Sequence, residues 1–174
     1  SDTALAAADE WIAIRPSTDS ALADAMCYVI RERKLYDKKF IDRFCIGFDE
    51  EHLPGGISSG ESYFAYLDGA KDGIVKTPEW AEKITGVPAQ TIERIAVEYA
   101  EARYACILPG LGPQRTLNGE QTYRSIMTLP CLVGSIGKPG GGVITWERPA
   151  SPQPELPPFE NPYPTTIPAF QWWR

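Results

Sequence analysis

The stretch at residues 109–121, PGLGPQRTLNGEQ, carries the residue types of an anion-binding loop between a hydrophobic run and a helical pattern. Backbone N–H groups at a helix N-terminus attract negative charge, and glycines let a flat ligand approach the backbone closely. We predict that Gly110 and Gly112 give access to such a ligand, while Gln114 and Arg115 reach its phosphate or ribose oxygens. Neither common phosphate-loop fingerprint is present. Spacing alone therefore leaves a tight strand-to-helix turn as the alternative.

Residues 15–19, RPSTD, form a second candidate binding segment. The Asp19 carboxylate could accept two parallel hydrogen bonds from the N1–H and exocyclic amine of guanine, a strong charge-assisted arrangement. The alternative is a first-turn carboxylate that merely complements the helix dipole, with Thr18 before it as the N-cap. We expect residues 15–19 and 109–115 to lie side by side at the ends of two strands. Together they would form a surface for a flat anionic molecule.

The remaining reactive side chains suggest neither a catalytic residue nor a metal ligand. The four cysteines are far apart and form no C-x-x-C pair, so they give no zinc or iron–sulfur spacing. Their apolar neighbours favour burial as small hydrophobic residues; they are Cys27, Cys45, Cys106 and Cys131. The single histidine, His52, lies in an acidic stretch and is expected to be solvated.

Composition points to one ordinary globular domain. The chain has 174 residues, of which 43% are hydrophobic and 23% charged, with a net charge of −6. An acidic balance argues against nucleic-acid binding, which needs Lys and Arg to neutralise phosphates. We see no apolar run of about 18 residues for direct membrane insertion. No signal peptide is visible either.

Hydrophobic periodicity predicts both helices and strands along the chain. Thr18, Asp37 and Thr77 are predicted helix N-caps, and Gly86 a helix end. The pattern predicts strands in residues 10–16 and 104–108, a helical turn in residues 62–69, and helices in residues 18–34, 37–44, 77–86, 88–103 and 120–133. A last strand is expected after the glycine-rich turn at residues 137–143.

The composition changes near residue 149. Residues 1–148 form the predicted domain, and residues 149–174 form a Pro-rich extended tail. The tail ends in FQWWR, an aromatic cluster that would be exposed on an isolated domain. It either folds back on this domain or docks on a neighbouring one.

Several of these stretches, in this order, resemble one region of the dimethyl sulfoxide reductase family. They are ADEWIAIRPSTDSALADAMCYVI, KTPEWAEKITGVPAQTIERIAVEYA, GPQRTLNGEQTYRSIMTLPCLVGSIGKPGGG and NPYPTTIPAFQWW. Members bind molybdenum through two molybdopterin guanine dinucleotides, and the likeness is strongest to catalytic subunits of anaerobic respiratory dimethyl sulfoxide reductases. It implies a Rossmann-like three-layer α/β/α domain with a mainly parallel sheet, which holds one dinucleotide arm.

The resemblance also assigns roles to residues of this chain. The RPSTD stretch matches a family R-P-G-T-D stretch near a guanosine, with Ser17 in place of the family glycine. This implies nucleotide contacts for Thr18 and Asp19. The loop GLGPQR matches a family loop that faces the pterin or its pyrophosphate, implying such contacts for Gly110, Gly112, Pro113, Gln114 and Arg115.

The resemblance further implies that the chain is a fragment of a catalytic subunit that reduces S-oxides or N-oxides and is inactive alone. The longer protein would supply a [4Fe–4S] cluster from its N-terminal region and the remaining cofactor-binding domains. It would pair with an iron–sulfur electron-transfer subunit and a membrane anchor, on the periplasmic side of the bacterial inner membrane. The alternative is a stand-alone α/β module that binds a nucleotide or a protein without catalysis.

Overall fold

The computed structural model describes residues 2–144. The predicted Pro-rich tail and its aromatic end lie outside the described residues. The elements follow in the order α1 (Asp2–Ala7), α2 (Asp19–Glu32), α3 (Lys38–Phe44), α4 (Tyr63–Leu67), α5 (Pro78–Thr85), α6 (Ala89–Glu101), β1 (Cys106–Ile107), α7 (Gly119–Leu132) and β2 (Gly142–Val143).

The helix boundaries read from capping residues are confirmed at three places. The Asp37 carboxylate accepts the Phe40 N–H at 3.0 Å and begins α3. Thr77 caps α5, and Pro78 occupies the first helical position, where no N–H is needed. Gly86 ends α5 in the left-handed region at φ 76°.

Helix α2 lies at the centre of the fold. It packs against α5, α6 and α7, and its buried stripe meets theirs in one hydrophobic core. Ala25, Cys27 and Ile30 are fully buried there, as are Ile92 of α6 and Leu132 of α7. None of the helices in residues 2–144 combines the length and apolar character needed to cross a bilayer. Because α2 is held on several sides, its N-terminus is fixed relative to the loops beside it.

The sheet is small. Strands β1 and β2 pair in parallel, with Cys106 opposite Gly142 and Ile107 opposite Val143. A mixed helical fold with a small parallel sheet agrees with the predicted α/β class, and β1 falls inside the predicted strand at residues 104–108. Within residues 2–144 the sheet holds these two strands.

The predicted strand at residues 10–16 is wrong. These residues form neither helix nor strand, although the hydrophobic alternation is real. Ile12 and Ile14 pack against the core while Trp11 and Ala13 are exposed. A strand also needs a ladder of backbone hydrogen bonds. The backbone N–H of Arg15 donates a hydrogen bond to the carbonyl of Thr85 at 2.9 Å. Among the described residues, this single bond is not continued into a strand ladder.

The carboxylate of Glu50 organises the loop before α4. It accepts hydrogen bonds from the Ser59 hydroxyl at 3.0 Å and from the N–H groups of Gly60 at 2.8 Å and Ser62 at 3.3 Å. Hydrogen bonds from Ser62 and Gly60 lower the pKa of Glu50 from 4.5 to about 2. The folded state therefore binds this proton more weakly than the unfolded state does.

We expect the stability that Glu50 contributes to be present above about pH 4.5 and lost as the pH falls towards about 2. In Glu50→Gln, the free energy of unfolding should change less over this pH range than in the unsubstituted chain. Urea unfolding at pH 5 and pH 2.5 measures this difference, with the exposed neighbour substitution Glu51→Gln as the control. Equal pH dependence in all three proteins would contradict the role given to Glu50.

Candidate functional site

The start of α2 and the glycine loop share a cavity of about 400 Å³, here named the loop cavity. Asp19 and Leu22 line it from α2, and Pro109, Gly110 and Pro113 line it from the loop. The structure therefore places Asp19 of the first predicted segment beside Pro109, Gly110 and Pro113 of the second, although residues 10–16 form no strand. The Asp19 side chain is partly exposed beside this cavity.

The fold itself does not require glycine at positions 110 and 112. Neither residue has a positive φ, and a Cβ atom built on either would meet nothing within 4 Å among the described residues. Gly119 differs, because a Cβ there would lie 2.5 Å from the carbonyl oxygen of Gln114. Open backbone at Gly110 and Gly112 is the arrangement expected where a flat ligand or a neighbouring domain approaches.

The other predicted site residues lie beside the loop cavity rather than in its lining. Gln114 and Arg115 belong to a single 3₁₀ turn, Pro113–Arg115, and both are exposed. Thr18 occupies the N-cap position of α2 but does not cap it, which corrects the prediction. Its hydroxyl donates to the carbonyl of Arg15 at 2.7 Å instead.

A second cavity, of about 690 Å³, is one that the sequence did not predict. We name it the helix-start cavity, because Ser17 and Ser20 at the start of α2 face Asn118 and Gln121 at the start of α7 across it. Neither α2 nor α7 has a side-chain N-cap hydrogen bond, and α6 also lacks one, whereas α3, α4 and α5 each have one. Two uncapped helix N-termini beside one cavity favour a negatively charged ligand.

Each of the loops that precede these two helices contains a non-glycine residue with a positive φ. Ser17 has φ 66° and Asn118 has φ 57°, both in the left-handed region. Asparagine tolerates this region better than serine does. The family glycine that Ser17 replaces therefore corresponds to a position where the backbone does need a positive φ.

The wall of the helix-start cavity contains a buried carboxylate network. Asp24 is only 5% exposed and accepts hydrogen bonds from the hydroxyls of Tyr63 at 2.8 Å, Tyr66 at 3.0 Å and Ser125 at 2.7 Å. Burial, and also the nearby Asp24 charge, raises the pKa of both tyrosines above the usual 10. The tyrosines therefore remain protonated hydrogen-bond donors at physiological pH. This network joins α2, α4 and α7 around the cavity.

The cysteines and the histidine only partly follow expectation. Cys27 is fully buried as predicted, but Cys106 is exposed on β1, which corrects the prediction for that residue. His52 is not simply solvated, since its Nδ1 lies 2.7 Å from an Asp49 carboxylate oxygen. Asp42, Asp49 and His52 bring potential metal-ligand atoms within 4.8 Å of one another. Lys38 already pairs with Asp42.

Comparisons with known proteins bear on this site. The family model described as molybdopterin oxidoreductase matches residues 1–151. The chain is 44% identical to the dimethyl sulfoxide reductase DmsA of Haemophilus influenzae, over 98% of this chain and 22% of that protein. It is 40% identical to the trimethylamine-N-oxide reductase of Salmonella typhi, over 75% of this chain and 14% of that protein. The chain thus spans about a fifth or less of the length of these relatives.

A solved structure is similar as well. Acetylene hydratase from Pelobacter acetylenicus superposes with a TM-score of 0.57 at 29% sequence identity. The match covers 75% of this chain and 15% of the hydratase chain. This likeness supports a shared fold over most of the described residues.

Proposed function

Because the chain belongs to the molybdopterin oxidoreductase family, we propose that it binds one molybdopterin guanine dinucleotide arm of a molybdenum cofactor. The observation that carries this proposal is the loop cavity, in which Asp19 at the start of α2 lies beside Gly110 and Pro113 of the glycine loop. The cofactor arm is flat at its pterin and guanine ends and negatively charged between them. Open glycine backbone and helix N-termini suit those two properties.

The residues present fit such a ligand. We propose that Asp19 accepts hydrogen bonds from the guanine edge, with Thr18 beside it. Gly110, Gly112 and Pro113 would lie against the pterin or its pyrophosphate, and the exposed side chains of Gln114 and Arg115 would donate to anionic oxygens. The chain's contribution is to bind and orient. When bound, the cofactor supplies the oxygen-atom transfer chemistry at its metal.

We further propose that the chain is part of a longer catalytic subunit that reduces S-oxides or N-oxides. The names of its relatives, dimethyl sulfoxide reductase and trimethylamine-N-oxide reductase, support this substrate class. The loop region also exposes apolar side chains, with Leu117 at 92% and Leu108 at 58% exposure, which suits coverage by another domain.

The rest of the assembly is proposed from the family resemblance. The parallel strands β1 and β2 would belong to a larger sheet in a three-layer Rossmann-like α/β/α domain. The longer subunit would carry a [4Fe–4S] cluster and work with an iron–sulfur electron-transfer subunit and a membrane anchor. We place the complex on the periplasmic side of the bacterial inner membrane.

Gly112→Trp in the full-length catalytic subunit tests the proposal. The indole would fill the open space over the loop, so we expect molybdenum and releasable guanine nucleotide per protein to fall about tenfold, a loss equivalent to about 1.4 kcal/mol of binding. Elemental analysis and nucleotide release after acid denaturation measure both. Gly55→Trp is the matched control, because Gly55 also has open space and no positive φ. Unchanged cofactor content in Gly112→Trp would favour the loop as a simple turn.

A further inference from the structure

One buried polar group at the loop cavity is left unsatisfied by the fold. The hydroxyl oxygen of Tyr99, on α6, is buried and has no hydrogen-bond partner within residues 2–144. The neighbouring Ser135 hydroxyl donates to the carbonyl of Pro130 at 3.4 Å and accepts from the N–H of Gly142 at 3.3 Å, so it is engaged elsewhere. A buried hydroxyl without a partner is destabilising, and such groups are rare in folded proteins. The Tyr99 hydroxyl is therefore a candidate for contact with a ligand.

Tyr99 lines the loop cavity together with Asp19. The other side chains of the lining are mainly apolar and include Leu22, Met26, Ile126 and Leu129. Apolar walls with a few polar groups are typical of pockets that bind small ligands. One of the two polar side chains is a carboxylate, which only accepts hydrogen bonds, and the other is a hydroxyl, which can donate one. Burial raises the pKa of Tyr99 to about 12, so its hydroxyl stays protonated at physiological pH.

These two polar side chains match the hydrogen-bonding groups of guanine. The base has flat apolar faces, N–H donors at N1 and at the exocyclic amine, and acceptors at O6 and N7. The Asp19 carboxylate can accept from the donors, and the Tyr99 hydroxyl can donate to an acceptor. Adenine cannot offer the same two donors, because its N1 is an acceptor. A phosphate group carries negative charge and would be repelled by Asp19, so the base is the part of a nucleotide that suits this cavity.

We propose that Tyr99 binds the guanine base of the cofactor arm by donating a hydrogen bond to one of its acceptor atoms in the loop cavity. This inference rests on the proposed function and adds a base-binding residue to it. The Tyr99 side chain already lines the cavity, so rotation of this side chain would direct the hydroxyl towards the base. The hydroxyl is unpaired in the chain without ligand, and binding of the base would supply the missing acceptor.

Tyr99→Phe should have two opposite effects on the 174-residue chain. Removal of the unpaired hydroxyl should raise the melting temperature by about 2 °C, because phenylalanine leaves no unsatisfied polar group. The same substitution should weaken the binding of guanosine monophosphate about fivefold, equivalent to about 1 kcal/mol. A purely structural hydroxyl would not give higher stability together with weaker binding. Tyr104→Phe, at a position that is 53% exposed, is the matched control and should change neither quantity.

The two methionines of the chain allow binding to be measured at the cavity itself. Met26 lines the loop cavity, whereas Met127 lines a separate apolar cavity with Phe48 and Cys131. We label the methionine methyl carbons and record NMR spectra during titration with guanosine monophosphate. The Met26 signal should shift, and the Met127 signal should stay in place.

Inosine monophosphate separates the roles of the two polar residues, because it lacks the exocyclic amine but keeps the same acceptor atoms. Tyr99→Phe should weaken the binding of both nucleotides by the same factor. Asp19→Asn should instead reduce the preference for guanosine monophosphate over inosine monophosphate, since Asp19 is the proposed acceptor for the amine.

Three results would overturn the proposal. A lower melting temperature in Tyr99→Phe would show that the hydroxyl has a partner within the chain. Unchanged affinity in this variant would show that the base does not use the hydroxyl. Absence of a Met26 shift would show that the base does not enter the loop cavity. Cofactor content of the full-length subunit, which tests the proposed function through Gly112→Trp, is a separate measurement, so the two proposals can fail independently.

Discussion

Replacing Asp24 with alanine should lower the free energy of unfolding of the 174-residue chain by about 3 kcal/mol. The side chain is a buried carboxylate that accepts three hydroxyl donors. Its removal deprives Tyr63, Tyr66 and Ser125 of their common acceptor. Hydrogen bonds to a charged acceptor are stronger than neutral ones, and an unsatisfied buried hydroxyl is destabilising. The lost hydrogen bonds and the unsatisfied hydroxyls therefore both lower the free energy of unfolding.

Asp24→Asn separates the hydrogen-bond contribution from the charge. The amide oxygen still accepts hydroxyl hydrogen bonds, and the Tyr66 hydroxyl can rotate to accept from the amide nitrogen. We expect a loss of about 1 kcal/mol for this variant. Urea unfolding monitored by tyrosine and tryptophan fluorescence measures both substitutions. A loss below about 0.5 kcal/mol in Asp24→Ala would show that the network does not stabilise the fold.

The same network links the stability of the fold to the geometry of the proposed site. Asp24 lies on α2, and its donors come from α4 and α7. All three helices line the helix-start cavity, so the network fixes the spacing of its walls. Since α2 and α7 both begin at this cavity, the network also sets the direction in which their N-termini point. A defect at Asp24 should therefore reduce cofactor retention as well as stability in the full-length subunit.

Local signals in the sequence were sufficient for three of the four predicted caps, and Thr18 was the exception. Asp37, Thr77 and Gly86 each act within a few residues of their own positions, so a single stretch of sequence specifies each role. Asp19 and Gly110 were also correctly expected to lie together. The supporting argument was that both segments follow strands. It holds for the glycine loop, which follows β1, but not for residues 15–19, because residues 10–16 form no strand.

The helix-start cavity and its carboxylate network could not be predicted in the same way. Asp24 and Ser125 are separated by 101 positions, and nothing in either local sequence indicates the other. Lys76 is a similar case. It is 1% exposed, pairs with Asp72, and lies 4.6 Å from the centre of the Tyr66 ring. Burial of such polar side chains depends on which helices pack together, and helical periodicity does not specify that. No signal in the sequence indicated the uncapped N-terminus of α7 either, because asparagine is a preferred N-cap residue, yet Asn118 makes no side-chain cap hydrogen bond.

Gly119→Ala is the second substitution with a large expected effect, about 2 kcal/mol of lost stability. A Cβ atom at position 119 would lie 2.5–2.7 Å from the backbone O, C and Cα atoms of Gln114. Contacts this short with backbone cannot be relieved by rotating a side chain, so the turn Pro113–Arg115 must move away from α7.

Gly110→Ala is the matched control, because that position has open space and no positive φ. Its effect on unfolding should be near zero or slightly stabilising, since alanine restricts the unfolded chain. Urea unfolding of both variants tests the contrast, and equal stability would mean that the close packing of Gly119 on Gln114 is not maintained in solution. In the full-length subunit, Gly119→Ala should also lower cofactor content, although residue 119 is buried. The substitution would act indirectly, because the backbone of α7 at residue 119 packs on Gln114 and so determines the position of Gln114 and Arg115 relative to the cofactor.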